Sequence, residues 1–337
     1  MEVTLTGSRR AVVRAMFESF GYPPLRVTTP FSGGHEPEDM TDTVEPGSEA
    51  YESYHEAGEI LAQVLDEAEE RVEVGTRLLD VAEFAEERIE ELGGRPAFPV
   101  NISIDNEASH ASPHGDDETT FGEEMICLDI GVHVDGYIAD AARTVDLSGT
   151  PELKEAAEEA LDAGLDVVEA GAHTGEIGAE VADVVTAYGY QPIVNLSGHG
   201  LERWDAHTDP SVPNRGTDRG TTLEAGDVLA IEPFATTGSG KVTEGAKTEI
   251  YSLVDDRSVR NRGARQVLDT VREEYQELPF AKRWLDASRA DMAVQRLETQ
   301  GVLRSYPVLQ ESDGELVAQA EHTIIVTEDG YEITTTR

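Results

Sequence analysis

"LDIGVHVDGYIADAART", residues 128–144, alternates like a β-hairpin yet puts two aspartates, Asp129 and Asp140, on one side of it. The Asp135-Gly136 pair at its centre is a strong signal for a two-residue hairpin loop, whose positions favour positive φ. With that pair as the loop, Val134 is expected opposite Tyr137 and, counting outward, Gly131 opposite Asp140. Asp129 then shares a face with Asp140 as its diagonal cross-strand neighbour, roughly 7–8 Å away at Cα. Carboxylates that close repel one another unless a cation is shared between them. Two exposed aspartates in a very acidic chain would read the same way, so the rest of the sequence has to decide.

The chain has 337 residues and a formal net charge of −42, with four lysines, twenty-two arginines and sixty-eight acids. Such charge destabilises a compact state by self-repulsion unless the medium screens it. At molar salt the Debye length falls to about 3 Å, so the composition points to a salt-rich, halophilic cytoplasm. An acidic shell argues against sequence-independent nucleic-acid binding and against anionic membranes, and no stretch approaches the ~18 apolar residues of a membrane span. The single cysteine, Cys127, excludes an internal disulfide and suits an intracellular location. It reads as a buried, inert thiol on the inner face of the hairpin.

Residues 1–40 lack periodicity and read as a poorly ordered leader or an overextended start, with Met40 the true initiator. From Ser48 the positions Tyr54, Ala57, Ile60, Leu61, Val64, Leu65 and Ala68 follow helical spacing, and a second helix runs from after Thr76 to Gly93-Gly94. Strands are expected near 100–108, 124–133 and 137–145. The pattern then repeats: Thr150 and Thr174 cap two further helices, and strands are expected near 190–197, 226–236 and 317–327. "VEVG" (72–75) and "GGRP" (93–96) match "VEAG" (168–171) and "GYQP" (189–192) at an offset of 96. Two helices and three strands, twice, predict a pseudo-twofold α+β fold with helices outside a curved antiparallel sheet. Residues 252–310 interrupt the second repeat, and their ten basic and nine acidic residues make them nearly neutral. They read as an inserted helical subdomain, either a solvated cap over the active site or a docking surface for an RNA-containing partner.

Three more positions join the aspartates: His199 in "LSGHG", Glu232 in "GDVLAIEPFA" and Glu321 in "VAQAEHTIIV". A glutamate inside an apolar strand is expensive to bury as an anion unless it is paired or metal-bound. Each alone suits a salt bridge; together, four carboxylates and an imidazole suit two divalent ions, with oxygen-rich ligation favouring Mn(II), Fe(II) or Co(II).

The order "DIGVHVDGYIAD", "GHG", "IEPF", "EHTI" resembles the methionine aminopeptidases of the pita-bread metallopeptidase family M24, from about residue 45 to the C-terminus. The 89 positions between Glu232 and Glu321, with a subdomain inside them, look like the type 2 subfamily, as does Phe98-Pro99 followed by His110 in "ASHASP". The resemblance implies the pita-bread fold, with 252–310 as a winged-helix-like insert in a catalytic domain spanning 41–337. It implies two divalent ions (Co, Mn, Fe, Ni or Zn), bridged by Asp140 and Glu321, with Asp129 on one ion and His199 and Glu232 on the other. Glu232 would also shuttle the proton, while His110 and His207 would contact the scissile peptide and stabilise the tetrahedral intermediate. Phe98, Ile250 and Ala206 would form a methionine-sized pocket. The implied activity is removal of the initiator methionine from nascent N-termini by a cytoplasmic, monomeric enzyme, with transient ribosome contact. An X-Pro-cleaving prolidase or aminopeptidase P on the same fold, and a non-catalytic ribosome- or RNA-binding relative, remain as alternatives. There is no long charged N-terminal extension of the eukaryotic kind, and the leader has no counterpart in the resemblance. His35, His55, His114, His133 and His173 are read as surface or structural residues.

Overall fold

Ser48 opens the first helix, α1 (Glu49–Glu69), its hydroxyl accepting the Tyr51 N–H, and the seven apolar positions expected on its inner face are all buried. The computed structural model describes residues 44–285 and 290–336; the leader expected at 1–40 lies outside the described residues. Helix α2 (Leu78–Glu91) packs beside α1, and both cover a sheet of β1 (Arg95–Pro96), β2 (Asn101–Ile104), β4 (Met125–Val134) and β5 (Tyr137–Asp146). A short strand β3 (Glu107–Ser109) follows β2 after a turn at Asp105, so the expected strand at 100–108 is two strands. Val134 pairs with Tyr137 and Gly131 with Asp140, and Asp135 and Gly136 have φ of 51° and 92°. The turn chemistry therefore set the register as expected.

The second half repeats the first. Helices α3 (Pro151–Leu165) and α4 (Thr174–Ala187) are followed by β6 (Gln191–Pro192), β7 (Ser197–Glu202), β8 (Asp205–Pro213), β9 (Val228–Ile231) and β10 (Phe234–Thr236). Helix α4 lies 96 positions after α2 at both ends, and β6 lies 96 positions after β1. The caps differ from expectation. Thr150 makes no side-chain cap, because Pro151 at the first helical position already fixes the entry, and α4 is capped by the His173 ring in a reciprocal box with Glu176. Thr174 is instead fully buried, its hydroxyl accepting the Thr221 N–H.

Long strand β11 (Thr243–Leu253) leads through α5 (Arg262–Glu274), β12 (Phe280–Ala281) and α6 (Ala290–Thr299) to β13 (Leu303–Gln310). Strands β11 and β13 pair with each other, β13 also pairs with β3, and the helices pack on their own core of Val267, Leu268, Val271, Val294 and Leu297. The chain returns through β14 (Val317–Gln319), β15 (His322–Thr327) and β16 (Gly330–Ile333). Both strands expected at 226–236 and 317–327 are broken, and broken at the same place: β9 pairs with β15, while β10 pairs with β14 in a different sheet. Pro233 has no N–H to continue the first ladder. In the second, the Glu321 N–H leaves for the Ala142 carbonyl of the hairpin, at 3.1 Å. Both glutamates therefore stand at the junction of two sheets. Among the described residues no helix is long and apolar enough to cross a membrane.

Candidate active site

The hairpin is fastened to the second half at its aspartates. The Asp140 N–H donates to the Thr323 hydroxyl, which donates in turn to the Asp140 carbonyl, each at 2.7 Å. This places Asp129 and Asp140 opposite Glu321, which stands in the break between β14 and β15. His199 arrives on β7, pressed so tightly between β8 and β9 that a Cβ on Gly198 or Gly200 would lie 2.3 Å from a carbonyl oxygen, of Ala230 and Asp209 respectively. That explains the glycines of "GHG". The His199 Nε2 lies 3.9 Å from Asp140 Oδ2 and 3.5 Å from Glu232 Oε1. Its Nδ1 hydrogen-bonds the Gly200 carbonyl at 3.3 Å, so Nδ1 carries the proton and Nε2 presents a lone pair to the carboxylates.

One cavity of about 450 Å³ is lined by Asp129, Asp140, His199, Glu232 and Glu321, and also by His110, His207, Phe98, Ala206 and Ile250. All ten residues singled out from the sequence thus meet in one place. Phe98, Ala206 and Ile250 are buried and form an apolar part of the wall. His207 packs against the His199 ring with centroids 4.4 Å apart, yet remains accessible through the cavity. It stands on β8. His110 follows β3 in the left-handed region, φ 62°, with Nδ1 3.3 Å from the Pro307 carbonyl and its ring edge-on to Tyr306.

The electrostatics is that of a site built for cations. Burial pushes the Asp129 carboxyl up to about 7, and burial together with the neighbouring carboxylates lifts Asp140 and Glu321 well above the ordinary range. Glu232 is raised in the same way, by burial and then by Asp129. Burial lowers His199 and His110 to about 4; enclosure in the cavity, and then the neighbouring histidines and Arg304, hold His207 well below its ordinary value. The imidazoles are therefore neutral and able to ligate. Single oxygens of Asp129, Asp140 and Glu321 are enclosed without a hydrogen-bond partner, an arrangement proteins avoid unless something else satisfies them. Ligand atoms of Asp140, His199 and Glu321 lie within 4.8 Å of one another. An oxygen-rich set with one neutral imidazole, orphaned oxygens and excess negative charge fits divalent metal ions.

Two supporting residues escaped the sequence reading. The Gln319 amide donates to Glu321 Oε2 at 3.0 Å, and Asn101 Nδ2 lies 3.5 Å from Asp129 Oδ2. A polar residue inside the apolar runs "FPVNISI" and "LVAQAEH" is the signal that could have found them. Cys127 is buried against Thr144 and the Val317 carbonyl, and burial pushes its thiol up to about 11, which keeps it inert. The remaining described histidines have other duties: His55 meets Glu332, His133 packs on Trp204, His114 accepts the Asp116 N–H, His173 caps α4 and His322 hydrogen-bonds the Thr335 hydroxyl at 2.8 Å. His35 lies outside the described residues.

Fold and site together define a pita-bread metallopeptidase. The model of metallopeptidase family M24 matches residues 52–328, and a methionine aminopeptidase of Archaeoglobus fulgidus is 52% identical over 288 residues, 85% of this chain and 99% of that protein. The chain belongs to that family, among its methionine aminopeptidases. In fold it is similar to a thermophilic Arx1 (TM-score 0.77, 19% identity, 86% of this chain and 91% of that one). It is also similar to a methionine aminopeptidase from Thermotoga maritima (TM-score 0.65, 23% identity, 87% and 99%).

Proposed function

We propose that this chain removes the N-terminal methionine from nascent proteins and peptides, and that Asp129, Asp140, His199, Glu232 and Glu321 hold two divalent ions for that purpose. The observation that carries the reading is the convergence of these five side chains with an apolar wall and two further histidines in one cavity. Divalent ions held there supply Lewis acidity, which brings the pKa of water toward neutrality. Glu232, beside His199, takes a proton at its carboxylate and returns it to the leaving amine. His110 donates its Nδ1–H to the Pro307 carbonyl, so its Nε2 is an acceptor and suits the N–H of the scissile peptide. The ring of His207 makes no hydrogen bond to the described residues and is free to donate to the carbonyl oxygen on which charge develops. Phe98, Ala206 and Ile250 exclude water around an unbranched thioether side chain.

The same reading assigns the chain to the type 2 subfamily, with residues 252–310 as an insert that caps the site, and places it as a monomer in a salt-rich cytoplasm. The acidic surface supports the last point. The test is hydrolysis of Met-Ala-Ser against Ala-Pro peptides in molar KCl, with metal analysis of the same preparation. Release of methionine at two ions per chain is the expected result. Preferential cleavage of Ala-Pro would favour a prolidase, and no turnover by the metal-loaded protein would favour a binding role.

A further inference from the structure

Among the described residues, two carboxylates outside the ligand cluster are buried: Glu311, which accepts from the Ser239 hydroxyl and from the Gly240 and Lys241 N–H groups, and Glu86, which is answered by an arginine. Glu86, on α2, forms an ion pair with Arg283, which stands in the short helical turn after β12; the two side chains are only 10% and 5% exposed. The second Glu86 oxygen accepts the Trp284 indole N–H at 2.8 Å, and the Val100 N–H reaches the first at 3.3 Å. Arg283 also donates to the Ser112 hydroxyl at 2.9 Å and the Pro113 carbonyl at 3.1 Å, and the Ser112 hydroxyl donates in turn to the Val100 carbonyl. The guanidinium fork therefore ties three segments together. One is α2, one begins two residues after Phe98, and one begins two residues after His110. Ala111 is held in between, accepting the Ile102 N–H at 2.6 Å.

Stability is a poor explanation for this arrangement. The desolvation of a buried ion pair consumes most of its attraction, and apolar replacements of both partners are often neutral. Geometry explains it better. A left-handed backbone at a residue other than glycine persists only where its surroundings impose it, and His110 adopts one. Its ring is steered by Pro307 and Tyr306, and its loop by Arg283, so residues far downstream hold a histidine encoded in the first half.

We propose that Arg283, held by Glu86, is a positioning residue for His110: it fixes the loop on which that histidine stands and makes the rate depend on docking of the inserted segment. This rests on the reading of His110 as a group that touches the scissile peptide. Misplacement by about 1 Å can cost on the order of 10² in rate.

The experiment is a cycle of Arg283→Met and His110→Ala, measured as kcat, KM and metal content with Met-Ala-Ser in molar KCl. Arg283→Met in the wild-type background should lower kcat by about ten- to a hundredfold with metal content unchanged. In the His110→Ala background it should change kcat by no more than about twofold, because the group it positions is gone. An equal loss in both backgrounds, or no loss in the first, overturns the proposal while leaving His110 in its role. Full activity of His110→Ala would instead remove the reading beneath it, and the proposal with it. Should Arg283→Met fold poorly, the paired replacement Glu86→Leu with Arg283→Met leaves no orphaned charge, and the same kinetic signature is required of it.

Discussion

Glu86 and Glu321 are both carboxylates buried beneath the surface, and burial raises both above the ordinary range. Glu86 is answered from within the chain, by Arg283, Trp284 and Val100. Glu321 has one amide, from Gln319, and an enclosed oxygen with no partner, and its nearest charged neighbours are further carboxylates. The first region is electrically closed and the second is open. A fold that supplies a guanidinium at one site and withholds any cation at the other leaves the second to be completed by something the chain does not encode.

The largest effect should come from the open site. Glu321→Gln or Asp140→Asn removes a negative charge from the ligand set, and turnover should fall to background with loss of metal, read by metal analysis and Met-Ala-Ser hydrolysis. Near-native activity at full occupancy would erase the contrast drawn above. Gln319→Ala removes the amide that orients Glu321 and should weaken metal affinity by about 10–100-fold, measured by titration.

Chelation should expose the open site to pH. The folded Asp129 holds its proton up to about 7 against an ordinary 3.8, so between those values the folded state binds more protons than the unfolded one. Stability of the metal-free protein should therefore fall as pH rises through that window. Metal should restore it most at the alkaline end, as a rise in Tm. A flat profile for the chelated protein would mean that the carboxylates are satisfied without metal.

Salt addresses a third population, the exposed acids. Going from molar to about 0.1 M KCl lengthens the Debye length from about 3 to about 10 Å, and Tm should fall as surface repulsion grows. The buried Glu86–Arg283 pair is shielded from this, so replacing it with Leu and Met should leave the salt dependence of Tm unchanged.

Short-range information settled much of this protein in advance. The Asp135-Gly136 loop fixes which residues of β4 and β5 face each other, because a two-residue turn allows one register and side chains alternate with period two. Helical spacing marked the buried face of α1, the 96-residue offset exposed the repeat, and the residue types of the five candidate ligands limited the chemistry. Tertiary structure decided the rest. That β9 and β15 break together at Glu232 and Glu321 depends on a junction between two sheets, and His207 owes its strand to pairing with β7. Glu86 and Arg283 lie 197 positions apart. Nothing near either residue names its partner, because a buried charge is matched by whatever the fold brings within a few ångströms, not by its neighbours along the chain.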